Sequence, residues 1–553
     1  MEKIIGHVAD VENRKFRDAA VCFEDGKIIQ ISECKADDGA PYLLPGFIDS
    51  HIHIESTLLT PRNYAKLAVR HGTIAAVCDP HEIANVLGSE GIQYMMKSAE
   101  STPLKIAFGV PSSVPATTFE TSGATLTAAD TDRMLATHRF YGLAEVMNYP
   151  GVLMDEPTVK SKIASALTRG LLVDGHAPGL TGSQAQKYIS AGISTDHEIY
   201  ELQTAIERIR LGQKIQIREG SAARHLNTLL PLLKQQHNCG MLMLCTDDIY
   251  PDELTEGYIN RIAAQAIAGG ADFWNVIQAA CITPVRHYGL KVGCLRQGDP
   301  ADFILTRDLK NLTVLQTYIN GKCVFGGNGD VFTCDEEGAC PELVEGINRF
   351  NERNVTTQEL QVKWSKGKIK VIEATEGMLY TGISLVEPRK GNDGMIQTDI
   401  VNDILKVVVV NRYKKAKASV GFIRGFGLTR GAIASTIAHD SHNIIAVGCS
   451  DQEIIRAIMA LEKLHGGLCV ADGSETLTLP LPVAGLMSTD SGEVVAKKHI
   501  QLKQKAKDIG CKFKAPFMTL AFMALPVIPE LKITDMGLFD VKKFEFTPLT
   551  SNP

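Results

Sequence analysis

Along residues 45–250 the hydrophobic pattern keeps one rhythm. A short apolar run rich in β-branched residues ends in a polar or Gly/Pro cluster, and a stretch with apolar residues three and four apart follows. Eight such runs occur: GFIDSHIHI (46–54), TIAAVCDP (73–80), LKIAFGVP (104–111), FYGLAEVMN (140–148), LLVDGHAP (171–178), GISTDHE (192–198), KIQIREGS (214–221) and MLMLCTDD (241–248). The intervening segments EPTVKSKIASALTRG (156–170) and YELQTAIERIRLGQ (200–213) carry helical periodicity and few breakers. Eight strand–helix alternations in so short a span predict an α/β fold of the (β/α)8 barrel type, whose usual size is about 250 residues. A doubly wound sheet would open on a glycine-rich turn, whereas here the first turn is HIHIES.

Both flanks of this region alternate as strands. VCFEDGKIIQI (21–31) reads as two strands around Asp25-Gly26, and residues 291–307 and 315–327 read as strands and turns. They predict one small β-sandwich domain assembled from residues 1–44 and 285–340, on either side of a barrel spanning 45–284. Beyond residue 341 the rhythm changes. MLYTGISLVE, LKVVVVNRY and NIIAVG predict strands, and residues 450–467 predict a helix with Ser450 and Glu453 as its capping box and Gly466 at its end. An additional α+β C-terminal domain is therefore expected over 341–553. The glycines of GFIRGFGLTRGAIAST (421–436) lack a following Gly-Lys-Ser/Thr, so turns or close backbone approach explain them better than a nucleotide loop does.

Composition narrows the partners. The chain has 553 residues, a net charge of -6 and 22% charged residues, which gives no electrostatic footprint for nucleic acid or an anionic membrane. No apolar run approaches the roughly 20 residues of a membrane span, and MEKIIGHVADVENRKF lacks the apolar core of a secretory signal. The 13 cysteines are scattered, with no Cys-x-x-Cys pair, as expected of reduced thiols in a cytoplasmic enzyme.

Barrel enzymes work at the C-terminal ends of their strands. At those ends lie His51 and His53 (strand one), Glu145 (four), His176 (five), His197 (six) and Asp247 (eight). Side chains two apart on a strand share a face, so His51 and His53 can reach one ion together. Each residue alone has a plainer explanation: His176 as a turn histidine in DGHAPG, Glu145 as a satisfied acid at the edge of the core, Asp247 as a cap for the helix that follows. Their coincidence on five strand ends is hard to obtain from packing, because buried charge without a partner is costly. Four histidines and two carboxylates suit a pair of divalent ions, with Glu145 as the anionic bridge; ligand type alone does not choose among Zn, Fe and Mn. DPHEIANV places His81 and Glu82 just after strand two, for substrate binding or proton transfer or, equally, as helix-start residues. HDSHN (439–443) packs His439, Ser441 and His442 ahead of an apolar strand, either as a polar turn or as part of the site.

PGFIDSHIHIES, GHAPGL, STDHE, LCTDD and VGCLRQGDPADFIL resemble the motifs of the amidohydrolase superfamily, and DPHEIANVLG, LAEVMNYPGV and GAIASTIAHDSHNIIAVG resemble its bacterial adenine deaminase family over essentially the whole chain. The resemblance implies hydrolytic deamination of adenine to hypoxanthine and ammonia, in purine salvage or adenine catabolism. It implies His51, His53, Glu145, His176, His197 and Asp247 as ligands of two divalent ions, Mn2+ ahead of Fe2+ and Zn2+, with Glu145 where many relatives carry a carboxylated lysine. On that reading Asp247 moves the protons of water and leaving amine, Glu82 or a nearby histidine protonates the ring, and His81, His439, Ser441 and His442 bind substrate. The expected assembly is a homodimer. Two alternatives remain: a cyclic amide hydrolase of the dihydroorotase or hydantoinase type, and a non-catalytic relative. The deaminases built on His-x-Glu with Pro-Cys-x-x-Cys are excluded, because no Pro-Cys-x-x-Cys occurs. Glu55 is expected to be a bystander.

Overall fold

The computed structural model describes residues 1–326, 331–333 and 347–551. The expected boundary at residue 340/341 lies outside them. The eight barrel strands are Phe47–Ile52, Thr73–Cys78, Lys105–Phe108, Gly142–Val146, Leu172–Gly175, Thr195–Asp196, Lys214–Arg218 and Leu242–Cys245. Parallel ladders join one to two to three, four to five, and six to seven to eight. Bridges Val110–Leu143 and Ile52–Asp247 link three to four and close eight onto one, while Ser194 N–H donates to Val173 O (2.8 Å) between five and six. Strand six is only two residues long, shorter than its apolar pattern suggests, and His197 sits just beyond it. The closing seam is tied by the buried Asp49 carboxylate, which accepts from the Thr246 N–H and hydroxyl, the Tyr258 hydroxyl and His51 N–H. This holds the ends of strands one and eight, and with them His51 and Asp247, in register.

The two flanks share one continuous seven-stranded sheet. Tyr42–Pro45, from the N-terminal side, lies between Glu2–Asp10 and Phe303–Thr306, so the strands before the barrel and those after it form two blocks that join at this one pairing. Its hairpin Lys15–Glu24/Lys27–Glu33 turns on Asp25 and Gly26, both left-handed (φ 51° and 78°), as the Asp-Gly pair foretells. The C-terminal region holds an eight-stranded, mainly antiparallel sheet that begins at Gly382–Val386 on one edge and ends at Glu475–Pro480 on the other. The helix Asp451–Lys463 covers it with Ile454, Ala457, Ile458 and Leu461. Its cap differs from expectation. Ser450 Oγ accepts from Glu453 N–H (3.3 Å), but the Glu453 carboxylate turns to Arg456 (3.2 Å), leaving half of the box unmade. The left-handed residue that ends it is His465 (φ 53°), with Gly466 N–H donating to Leu461 O (3.0 Å). In the glycine-rich stretch, Gly425 and Gly427 N–H both donate to the Asp403 carboxylate, which makes it a turn.

The C-terminal region seats on the barrel mouth through the helix Gly492–Asp508, whose His499 and Lys503 grip Asp252 at 2.8 and 2.7 Å. A second attachment runs through Thr121, which donates N–H to Asp535 (2.8 Å) and accepts from Asn443 (2.8 Å). In the same region Lys532 is fully enclosed, donating to Leu379 O (2.8 Å) and Phe522 O (2.9 Å), and burial pushes its ammonium down to about 7. The unfolded chain, with an ordinary lysine near 10.4, keeps this proton between pH 7 and 10 while the folded chain has shed it, so this group adds stability as pH rises through that window. The stability of the parent relative to Lys532→Met should therefore rise by up to about 1.4 kcal/mol per pH unit above pH 7 and stay flat below it. Urea denaturation at pH 6, 7, 8 and 9 reads this difference; a flat profile would refute it.

Candidate metal and catalytic site

Glu145, on strand four, stands at the centre. Its Oε1 lies 3.2 Å from His53 Nε2 and 3.9 Å from His51 Nε2; its Oε2 lies 2.8 Å from His176 Nδ1 and 3.2 Å from His197 Nε2. One carboxylate thus turns each oxygen to a different histidine pair. Asp247, from strand eight, completes the ring with Oδ1 at 2.9 Å from His53 Nε2 and 3.4 Å from His51 Nε2, and Oδ2 at 3.6 Å from His197 Nε2. All six expected ligands are brought together and buried.

This nest fits cations. Donor atoms of His51, His53 and Glu145 and of Glu145, His176 and His197 converge as two groups that share the glutamate, and His51, His197 and Asp247 form a third. His51 Nε2, which faces both Glu145 Oε1 and Asp247 Oδ1, is buried without a hydrogen-bond partner, a costly state that a cation bound among them relieves. His53 Nδ1–H donates to Asp79 O (2.9 Å). That bond fixes the tautomer and leaves the Nε2 lone pair facing the carboxylates, the usual arrangement behind a metal-binding imidazole. Imidazole and carboxylate without thiolate suit Mn, Fe or Zn.

Electrostatics keep the acids ionised. Burial works to raise the Glu145 carboxyl, but His176 and His197 outweigh it and hold it far below the usual range. Burial likewise opposes ionisation of Asp247, and Arg218 with His197 prevails. Arg218, at the end of strand seven, was not among the expected residues. It is buried, touches Asp247 Oδ2 and Glu198 Oε1 closely, and donates to Asp248 Oδ2 (3.0 Å). Ser56 Oγ donates to the other Asp248 oxygen (2.6 Å). The signal for Arg218 was an arginine ending the apolar run KIQIR.

The second cluster joins the two halves of the chain. Glu82, in the first turn of the helix His81–Leu87, lies with Oε1 2.7 Å from His439 Nδ1 and with Oε2 in close contact with His442 Nε2. HDSHN thus reaches the site. His81 bridges the clusters, with Nδ1 at 3.4 Å from Glu145 Oε1 and Nε2 at 3.6 Å from Glu82 Oε1. Burial opposes charge on the His439 ring, but Glu82 raises it to about 9. Burial opposes ionisation of Glu82 as well, yet His439 and His442 hold it far below the usual range. His439, His81 and Glu82 line the space over the cluster of Glu145, Asp247 and the histidines; His442 stands behind Glu82. Ser441 does not reach that space. Its carbonyl accepts from Tyr413 (2.6 Å) and its hydroxyl from Asn443 (3.1 Å), which assigns it to holding the turn. Glu55, carried away from the ligands by the 3-10 turn Ile54–Thr57, accepts from Ile83 N–H (3.1 Å) and so anchors the helix that carries His81 and Glu82.

Comparison with known proteins gives the family. Residues 42–324 match the Amidohydrolase family and residues 380–545 match the Adenine deaminase C-terminal domain. The chain is 46% identical over 562 residues to an adenine deaminase of Methanosarcina mazei and 47% identical over 559 residues to one of Methanosarcina barkeri, each match covering 99% of both chains. An adenine deaminase of Borreliella burgdorferi is 44% identical over 551 residues, covering 98% of this chain and 99% of that one.

Proposed function

This chain belongs to the adenine deaminases of the amidohydrolase family, and from that premise we infer that its buried ligand nest hydrolyses adenine to hypoxanthine and ammonia. The observation that carries the inference is the juxtaposition of Glu145 and Asp247 with a Glu82–His439 pair supplied jointly by the barrel and the C-terminal region. His51, His53, Glu145, His176, His197 and Asp247 would hold two divalent ions, with Mn2+ the first choice and Fe2+ the second. Bound there, the ions supply a water ionised near neutral pH, in place of a bulk pKa of about 15.7. Asp247 takes the proton released as the water oxygen adds to C6, and later returns it to the amine as the C6–N bond breaks. Ring nitrogen N1 needs a proton while C6 is tetrahedral. Glu82 and His439 hold that proton between them, on the histidine at neutral pH, and Glu82 relays it. His81, between the two clusters, is placed to orient the base. The active protein is expected to be a cytoplasmic homodimer serving purine salvage or adenine catabolism. Its segments 1–44 with 285–340, 45–284 and 341–553 are taken as the β, barrel and C-terminal domains. The described cysteines are all free thiols, and no described helix is long and apolar enough to cross a membrane.

The test is metal reconstitution. Chelated protein reloaded with Mn2+, Fe2+ or Zn2+ is assayed for ammonia from adenine and adenosine and for ring opening of dihydroorotate. Adenine alone should react, fastest with Mn2+. Ring opening of dihydroorotate without ammonia from adenine would refute the reading.

A further inference from the structure

The space directly over the metal ligands, bounded by His81, Glu82, His439, Phe522 and Ile528, is only about 20 Å³. That is room for about one water, and a purine cannot occupy it in this conformation. Beside it, sharing Glu198 and Ile528 as a common wall, lies a half-open cavity of about 380 Å³ between the barrel and the C-terminal region. That volume is within the range of small-molecule sites, about 300–1,000 Å³. Its walls are aromatic. Tyr200, after strand six, meets Tyr380 of the C-terminal region edge to face, with ring centres 5.8 Å apart and planes at 73°, and His225, after strand seven, lies 6.1 Å from Tyr200.

We propose that this cavity is a vestibule that captures the free purine base in the corner formed by Tyr200 and Tyr380, stacked on one ring with its edge against the other, before it passes between Glu198 and Ile528 to the metal centre. The chemistry favours a neutral heteroaromatic ring. The Tyr200 and Tyr380 hydroxyls, 3.4 Å apart, and the Thr228 hydroxyl offer donors and acceptors to its edge. The one carboxylate on the inner wall, Glu198, is already engaged by Arg218, so the wall presents no free anion to attract a cation. Burial lowers the His225 ring to about 4, so it is neutral at working pH, and its Nδ1 is buried without a partner. Because the two tyrosines come from different halves of the chain, the vestibule exists only when both are docked.

The proposal rests on the adenine reading, and its test separates the two. Base–aromatic stacking is strong enough that Tyr200→Ala and Tyr380→Ala in the metal-loaded enzyme should each raise KM for adenine roughly tenfold, with kcat within about twofold of the parent. Tyr200→Phe and Tyr380→Phe, which keep the ring face and lose only the hydroxyl, should raise KM less than the alanine variants do. In Tyr380→Trp, hypoxanthine and adenine should quench the introduced indole saturably. Unchanged KM in both alanine variants overturns the vestibule, and so does a raised KM with an indole blind to saturating hypoxanthine. If the alanine variants fail to fold, the indole titration alone decides. Quenching by adenine in a chain that releases no ammonia from it would sink the functional reading and leave the vestibule standing; ammonia release without quenching would do the reverse.

Discussion

Asp247→Asn, loaded with two metal ions per chain, should deaminate adenine about 10²–10⁴-fold more slowly than the parent, the usual worth of a positioned acid–base group. The geometry lets this effect be isolated. Asp247 meets both His51 and His53 through Oδ1, and an asparagine oxygen can keep those contacts. On the other side, Arg218 loses one anionic partner but retains Glu198 and Asp248, so no buried guanidinium is left unpaired. What disappears is the capacity to accept a proton. Metal content near two per chain with kcat close to the parent's would show that another group carries the proton, and the assignment would fall.

Glu145→Gln strikes the other end of the chemistry. The carboxylate places one oxygen among His51 and His53 and the other among His176 and His197. An amide keeps one oxygen and presents an NH2 group to the second pair, where it repels a cation. Bound metal, measured by inductively coupled plasma mass spectrometry, should fall from two per chain to one or none, with deamination reduced more than about 100-fold, as when a site loses its activated water. Thermal stability gives an independent reading. A ligand that binds only the folded state at 100 times its dissociation constant adds about 2.7 kcal/mol, so the parent should melt higher in excess Mn2+ and the variant should lose most of that rise. Two tightly held ions in the variant would show that the Glu145 carboxylate is not needed to hold them.

The parts of this molecule that can be read from residue order are those set by short-range periodicity. A barrel strand has a period of two and a βα unit a near-constant length, so His51, His53, Glu145, His176, His197 and Asp247 announce themselves as strand ends before any coordinates exist. Arg218 obeys the same periodicity yet was passed over, because a lone arginine after four strand residues gives no hint of three carboxylates arriving from strands six and eight. Those partners come from ring closure. The Glu82 contacts with His439 and His442 join positions more than 350 residues apart, and no local pattern encodes such a docking; HDSHN could be recognised as polar and crowded but not located. Ser441 shows the converse, since its neighbours reach the site while its own side chain serves the turn. Strand six, two residues long, shows that an apolar run marks where a strand passes, not how many ladder bonds it makes.

The partition of the site along the chain also sets an order of events. Asp247, the last of the six nest residues, leaves the ribosome 192 positions ahead of His439. At about 5–20 residues per second, that is a delay on the order of 10–40 s. During it, the six nest residues exist on the nascent chain while His439, the partner of Glu82, has yet to be made. The six nest residues thus all lie in the first half of the chain, whereas the Glu82–His439 pair forms only once the C-terminal region has been made.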